Sequence, residues 1–235
     1  MGKLLILLIL LFSFTARAEE IITYYNSKNE QIIQPDGLTL IKENLYRDKE
    51  NNLYIMADYI KHFASDNTTI VPKKLGIFLQ NEIYDIKNGS LIPISKVIDI
   101  GSYQMLDASL FKDKYHVYFY TGTEYANYPF VIADELISPD DITLLEGNYL
   151  ISNNHVYHYG RYSYIVEVKN AQASTFTVFR LRLKDEEMNR YIIIGKDTNR
   201  CYLEGEALDK DGIASIKQIV NLKQIINSNA LLDCN

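Results

Sequence analysis

Apolar positions follow two regimes along this chain. Residues 4–14 form a nearly unbroken apolar run, whereas from residue 19 onward apolar and aromatic residues come in short bursts between clusters of Asp, Asn, Lys and Gly. The bursts are rich in Ile, Val and Tyr, side chains that fill a pleated, half-buried surface well. The clusters between them hold residues that hydrogen-bond their own backbone or accept left-handed dihedrals. This pattern predicts strands near 21–25, 38–41, 53–56, 75–79, 115–120, 155–159, 162–168, 175–183 and 191–194. Turns are marked by Pro35-Asp36-Gly37, Asn88-Gly89, Gly147-Asn148 and Gly195. The stretch 213–227 reads two ways. Ile213, Ile216, Ile219, Val220 and Ile226 suit a terminal helix, while its place after the other strand units argues for a turn and a strand.

The first apolar run carries its own message. Lys3 precedes it and Ala16-Arg17-Ala18 follows it with a small-x-small pattern, which together predict a secretory signal peptide over 1–18, cleaved after Ala18. The run is far shorter than the ~20 residues a helix needs to cross a bilayer. No cysteine follows it to accept a lipid, and no later stretch is long and apolar enough to span. The expectation is a periplasmic or secreted protein whose residues 19–235 form one β-repeat domain. Losing Lys3 and Arg17 with the leader takes the formal charge from −6 to −8. An acidic chain of this kind disfavours nucleic acid and anionic lipid as partners. The two cysteines, Cys201 and Cys234, would then meet an oxidising compartment, where an even pair is most simply a disulfide.

Internal similarity adds the next constraint. Asp113-Lys114-Tyr115-His116-Val117-Tyr118 aligns with Ser152-Asn153-Asn154-His155-Val156-Tyr157 and with Asp197-Thr198-Asn199-Arg200-Cys201-Tyr202. A copy one residue longer runs from Asp48 to Tyr54, and a fainter one is Asn81-Glu82-Ile83-Tyr84. Each is a polar turn, then an apolar residue, then Tyr at the start of a strand. A second element follows several copies: 99–106, 170–178 and, more loosely, 211–216 each read as a polar or helical turn, a hydroxyl residue and an apolar strand. The Tyr anchors at Tyr54, Tyr84, Tyr118, Tyr157 and Tyr202 are separated by distances that suit two to four short strands per unit. The pattern carried by Asp113 to Tyr120 and its copies resembles the bacterial DKNYY repeat family. The likeness covers most of the chain and is clearest over 103–235. It implies a secreted or envelope-associated protein and brings no catalytic residues with it. The expected fold is mainly β, with tandem degenerate turn-strand units in a meander or solenoid-like array, or alternatively propeller-like, and a possible short C-terminal helix.

Candidate chemistry is sparse. His116 and His155 occupy one repeated slot, as a structural template predicts, whereas catalysis needs a unique constellation. His155 and His158 are three apart in a predicted strand, so they point to opposite faces and would not share a metal. His62 stands alone. Asp209-Lys210-Asp211-Gly212 begins like a calcium loop but lacks its later ligands, and a turn is the better reading. Asp185-Glu186-Glu187 reads as a solvated hairpin tip and Asp140-Asp141 as a turn. Nucleophile-elbow, zinc-helix, phosphate-loop and paired-cysteine redox motifs are missing from the sequence. The expectation is therefore a non-catalytic scaffold without cofactor or metal that binds a protein, glycan or envelope component. The alternatives are a hydrolase whose carboxylates are assembled in space, and a structural envelope protein or inhibitor. Repeat anchors are expected at Tyr54, Tyr84, Val117, Tyr118, Val156, Tyr157 and Tyr202.

Overall fold

The computed structural model describes residues 21–26, 30–62, 74–120, 130–133, 137–160, 163–184 and 191–220. The fold is mainly β. Four sheets, none of them closed into a barrel, are followed by one short helix. The first sheet holds β1 (Ile21–Tyr25), β2 (Gln31–Ile32), β3 (Thr39–Lys42), β4 (Leu45–Arg47), β5 (Leu53–His62) and β6 (Lys74–Gln80), in the order β2-β1-β6-β5-β4-β3. The second holds β7 (Glu82–Asp85), β8 (Ser90–Pro93), β9 (Gln104–Met105), β10 (Leu110–Lys112), β11 (Val117–Tyr120) and β12 (Phe130–Ile132), in the order β8-β7-β12-β11-β10-β9. The third is the four-stranded meander β13 (Thr143–Leu145), β14 (Tyr149–Ser152), β15 (His155–Gly160) and β16 (Ser163–Glu167). The fourth is the meander β17 (Thr177–Arg182), β18 (Tyr191–Lys196), β19 (Cys201–Leu203) and β20 (Glu206–Ala207), after which comes α1 (Lys210–Ile219).

All four sheets thus contain an antiparallel four-stranded meander, and the first two add a hairpin whose leading strand pairs in parallel with the last meander strand. Four of the five turn motifs form the central hairpin of a meander, between its second and third strands; the faint copy at 81–84 instead leads from β6 of the first sheet into β7 of the second.

Packing runs across the sheets. Leu45, Leu53 and Ile55 of the first sheet meet Tyr103, Phe111, Tyr118 and Phe130 of the second sheet and its connections. Leu110, Val117, Phe119 and Val131 of the second meet Leu150, Tyr157, Tyr159 and Ile165 of the third. Tyr149 and Val156 of the third meet Phe176, Val178 and Tyr202 around the fourth. Leu181, Ile194 and Cys201 on the far face of the fourth are covered by Ile213 and Ile216 of α1 and by Val220. Successive residues of a strand point to opposite faces, so β11 sends Val117 and Phe119 one way and Tyr118 the other, and all four of its residues are buried. Val156 and Tyr157 divide between neighbouring clusters in the same manner, as do Cys201 and Tyr202. In the first sheet Leu53 and Ile55 are buried against the second, while Tyr54 points away and stays half-buried. Tyr84 is half-buried as well, against the cluster between the second and third sheets.

A carboxylate organises each full copy of the motif. Asp113 accepts from the N–H groups of Tyr115 (2.7 Å) and His116 (2.8 Å) through Oδ1, and from the Asp99 N–H (2.8 Å) and the Tyr118 hydroxyl (2.7 Å) through Oδ2. Asp197 repeats the set with Asn199 (2.7 Å), Arg200 (2.8 Å), the Gln172 N–H (2.8 Å) and the Tyr202 hydroxyl (3.0 Å). Both are buried. Each therefore fixes its own turn, the strand that leaves the turn and the segment that precedes the meander. Asp48 keeps the turn and the Tyr54 hydroxyl (3.0 Å). Ser152 is too short for the full set. Its Oγ still accepts from the Ser138 N–H (3.2 Å), the Asn153 N–H is taken by Asp141 (2.7 Å), and Asn153 and Asn154 turn the chain with positive φ of 49° and 62°. Two consecutive left-handed residues make a tight hairpin turn that suits strand twist.

Several expectations change. Lys210–Ile219 is helical, so of the two readings of the stretch the helix holds over 213–219; Val220 bridges to Leu183, and 221–227 lie outside the described residues. Asp209 caps it, accepting from the Gly212 N–H at 2.7 Å, so 209–212 is a helix start rather than a free turn. Gly195 lies inside β18, not in a turn. A Cβ there would come within 2.5 Å of the Phe176 ring, so the glycine makes room for aromatic packing. The strand expected from 175 begins at Thr177, because Ala173–Thr175 forms a 3₁₀ turn. The hairpin tip at Asp185-Glu186-Glu187 lies outside the described residues, as do the signal peptide and Cys234.

Truncating either face of a motif leaves a cavity between two sheets, so Val117→Ala or Val156→Ala should lower stability by roughly 1–3 kcal/mol. Asp113→Ala strands four donors in a buried site and should lower it by about 2–4 kcal/mol. Urea denaturation checks both. If Asp113→Ala proves as mild as an exposed substitution, the carboxylate does not organise the turn.

Candidate functional site

The buried ionisable groups are engaged in structure. Burial alone would raise the Asp197 carboxyl, but the N–H groups of Gln172, Asn199 and Arg200 and the Tyr202 hydroxyl outweigh it and hold the group below the usual carboxylate range. Burial, together with donation to Asp197, pushes the Tyr202 phenol up to about 12. Tyr54 rises to about 12 through burial and its bond to Asp48. Tyr159 is raised by burial and by its hydroxyl bond to Asp107, a carboxylate that also accepts from the Ser109 and Leu110 N–H groups. Each of these aspartates accepts hydrogen bonds from its own turn and from a tyrosine hydroxyl.

Free charge collects elsewhere, at the ends of the third and fourth sheets. A cavity of about 350 Å³ is lined by Val166, Glu167, Lys169, Asn170, Arg200 and the Gly205–Ala207 stretch. β16 ends at Glu167, and the turn after it supplies Lys169 and Asn170. Arg200 closes the Asp197 turn, and Glu204-Gly205 form the two-residue link from β19 to β20. Glu204 and Gly205 have φ of 50° and 86°, which brings the link back close to β15. A Cβ on Gly205 would stand 2.9 Å from the His158 Cβ. On the outer side of the strand Glu167 Oε1 meets His155 Nδ1 at 2.8 Å, with both side chains about half exposed. His158, next to Gly205, is buried, its ring edge-on to Tyr149 at 4.9 Å. Burial lowers its pKa and Glu204 partly offsets the effect. The arrangement offers two cations, two carboxylates, an amide and an exposed strand end, which is the chemistry of polar recognition.

The structure disperses the candidates read from sequence. His155 and His158 lie on opposite faces of β15, one exposed and one buried. His116 is half-buried in the turn just before β11, between the rings of Tyr115 and Tyr118. His62 ends β5 in another sheet. Asp140 and Asp141 are exposed, and Asp141 caps the Asn153 turn. Among the described residues no group of three His, Cys, Asp or Glu side chains is placed to hold a metal, and no helix is long and apolar enough to cross a membrane. Sequence reading missed the cavity, because Lys169, Arg200 and Glu206 belong to two separate turns and a short strand that only sheet stacking brings together.

Comparisons of the chain with protein-family models, curated proteins and solved structures found no match. What fold and cavity define by themselves is a mainly β protein of layered sheets with a polar recess at two strand ends.

Two expected outcomes follow from this chemistry. The folded state favours neutral His158, so the unfolded chain takes up the proton first and stability should fall as pH drops below about 6.5. His158→Gln should flatten the fall in Tm between about pH 7 and about pH 5; an unchanged slope would remove His158 as its source. Cys201 is fully buried and is not a free thiol, and we propose that it pairs with Cys234. Thiol labelling of the unfolded, unreduced protein should then label neither cysteine; labelling of both in a monomeric chain would exclude the bridge.

Proposed function

We propose that the chain is an exported, non-catalytic binding scaffold of the DKNYY-like kind, periplasmic or secreted, presenting its strand-end surface to a protein, glycan or envelope component. The observation that carries this reading is the division of charge. The buried carboxylates Asp113 and Asp197 each accept four hydrogen bonds. The charges of the recess, Lys169, Arg200 and Glu206, face an open surface. The four meanders are, in this reading, tandem copies of one unit stacked as a solenoid-like array. The common place of the motif in each central hairpin supports it, as does the alternation of Val and Tyr positions between neighbouring sheets. A repeat array buries its faces against neighbours and leaves its rims for recognition. The bridge between Cys201 and Cys234 would tie the chain end to the last unit and, in the chain-entropy account, contribute about 3–4 kcal/mol.

The test uses the exported protein, whose intact mass should place the N-terminus at Glu19. Immobilised and exposed to envelope extract, it should retain a defined component. Lys169→Glu with Arg200→Glu should reduce that retention by about tenfold, roughly 1.4 kcal/mol, at unchanged Tm. Retention untouched by the double change, or turnover of a glycan or peptide substrate by the purified chain, would overturn the reading.

A further inference from the structure

The first two sheets show how this chain completes a meander. β1 lies parallel on the outer side of β6, from Ile21 opposite Lys74 to Tyr25 opposite Phe78. β7 lies parallel on β12, with Tyr84 opposite Val131 and Asp85 opposite Ile132. The third and fourth meanders end instead on β16 and β20, which have no outer neighbour among the described residues. β20 is two residues long, but β16 spans five. The Val168 N–H bonds the Val156 carbonyl at 2.8 Å, so strand alternation turns the N–H and C=O groups of Ile165 and Glu167 away from β15. An edge with outward-facing amides and carbonyls is a template for another strand. The recess lies at the C-terminal end of this edge, and Lys169 and Arg200 line it.

We propose that β16 is a docking edge for an extended segment of a partner protein, which pairs with it in parallel as β1 does with β6 and β7 with β12. This deepens the binding reading above and rests on it. Parallel pairing places the C-terminal end of the incoming segment beside Lys169 and Arg200; Glu167 of the same recess is engaged by His155 at 2.8 Å and leaves Glu206 against these two cations, so that end carries an acidic side chain. The chain's own strand β7 has this form, Glu82-Ile83-Tyr84-Asp85, with apolar and tyrosine residues in the middle and Asp85 last. Main-chain bonds to the edge supply affinity, and the cationic end supplies polarity and register.

A fluorescein-labelled peptide copying residues 80–86 serves as the probe, with fluorescence anisotropy against the mature protein as the readout. Binding should be saturable, and a peptide with Lys at the Asp85 position should bind more weakly. Glu167→Pro removes an outward N–H and keeps the ladder to β15, a tolerated edge position for proline, and should weaken binding by about tenfold or more. Lys169→Glu should weaken it by about threefold to tenfold, while Glu167→Ala, which keeps the outward N–H, should not reproduce the loss seen with Glu167→Pro. Circular dichroism establishes that each variant is folded. Absence of saturable binding up to about 1 mM by folded protein, or equal binding by Glu167→Pro and wild type, would overturn the proposal. A concentration-dependent dimer abolished by Glu167→Pro would assign the edge to a second copy and overturn the partner assignment. If Glu167→Pro still retains the envelope component, the strand-addition proposal fails while the binding scaffold stands. If the peptide binds as expected and nothing is retained from the extract, the scaffold reading fails instead.

Discussion

The interaction on which this structure depends is the buried carboxylate at the head of the turn motif. One side chain on Asp113, and again on Asp197, takes two amides of its own turn, the hydroxyl of a tyrosine in the following strand and an amide from the segment that leads into the meander. A buried charge is tolerated only when hydrogen bonds replace its hydration, and four donors do so here. The same bonds that solvate the carboxylate fix the hairpin and aim the tyrosine. Stability and local geometry therefore come from a single group, and its removal reaches the lead-in segment, the turn and the strand together.

The third sheet shows what the arrangement requires by changing it. Ser152 keeps the bond to the lead-in segment but cannot reach two turn amides, and the turn is made by the left-handed pair Asn153-Asn154 with help from Asp141. The hairpin survives because asparagine accepts positive φ at small cost. Val156 and Tyr157 still reach the clusters on either side. What is kept across the three sheets is the division of the Val and Tyr positions between two neighbouring layers.

That division also explains the ends. A last sheet must be covered, and the amphipathic helix Lys210–Ile219 covers the far face of the fourth, capped by Asp209 and tied at its end by the Lys184 N–H on the Ile219 carbonyl. Sheet edges are a separate matter. The chain supplies its own parallel strand to β6 and β12 and leaves β16 and β20 without one among the described residues. The polar recess sits where those two edges end.

Much of the β character was legible in the residues. Ile and Tyr bursts between Asp and Asn clusters specify strands and turns locally, since strand preference and turn geometry depend on side chains close in sequence. Four copies of the polar-turn, apolar, Tyr motif likewise marked the central hairpins, while the copy at 81–84 lies at the link between the first two sheets. Short strands such as Leu45–Arg47, Gln104–Met105 and Glu206–Ala207 were not legible, because two or three residues hold strand geometry only through a partner strand. Gly195 read as a turn and proved to be a clearance for Phe176, a requirement set by a ring from another segment. The helix at Lys210–Ile219 was decided by the uncovered face of the fourth sheet as much as by its own spacing of Ile213 and Ile216. The recess is wholly tertiary: Lys169 and Arg200 become neighbours only when two meanders stack, and no local pattern encodes that contact. The sequence determined the turn-and-strand unit, because its forces act within a few residues. The tertiary structure decided which faces are shared and which edges stay open, because those depend on how the units meet.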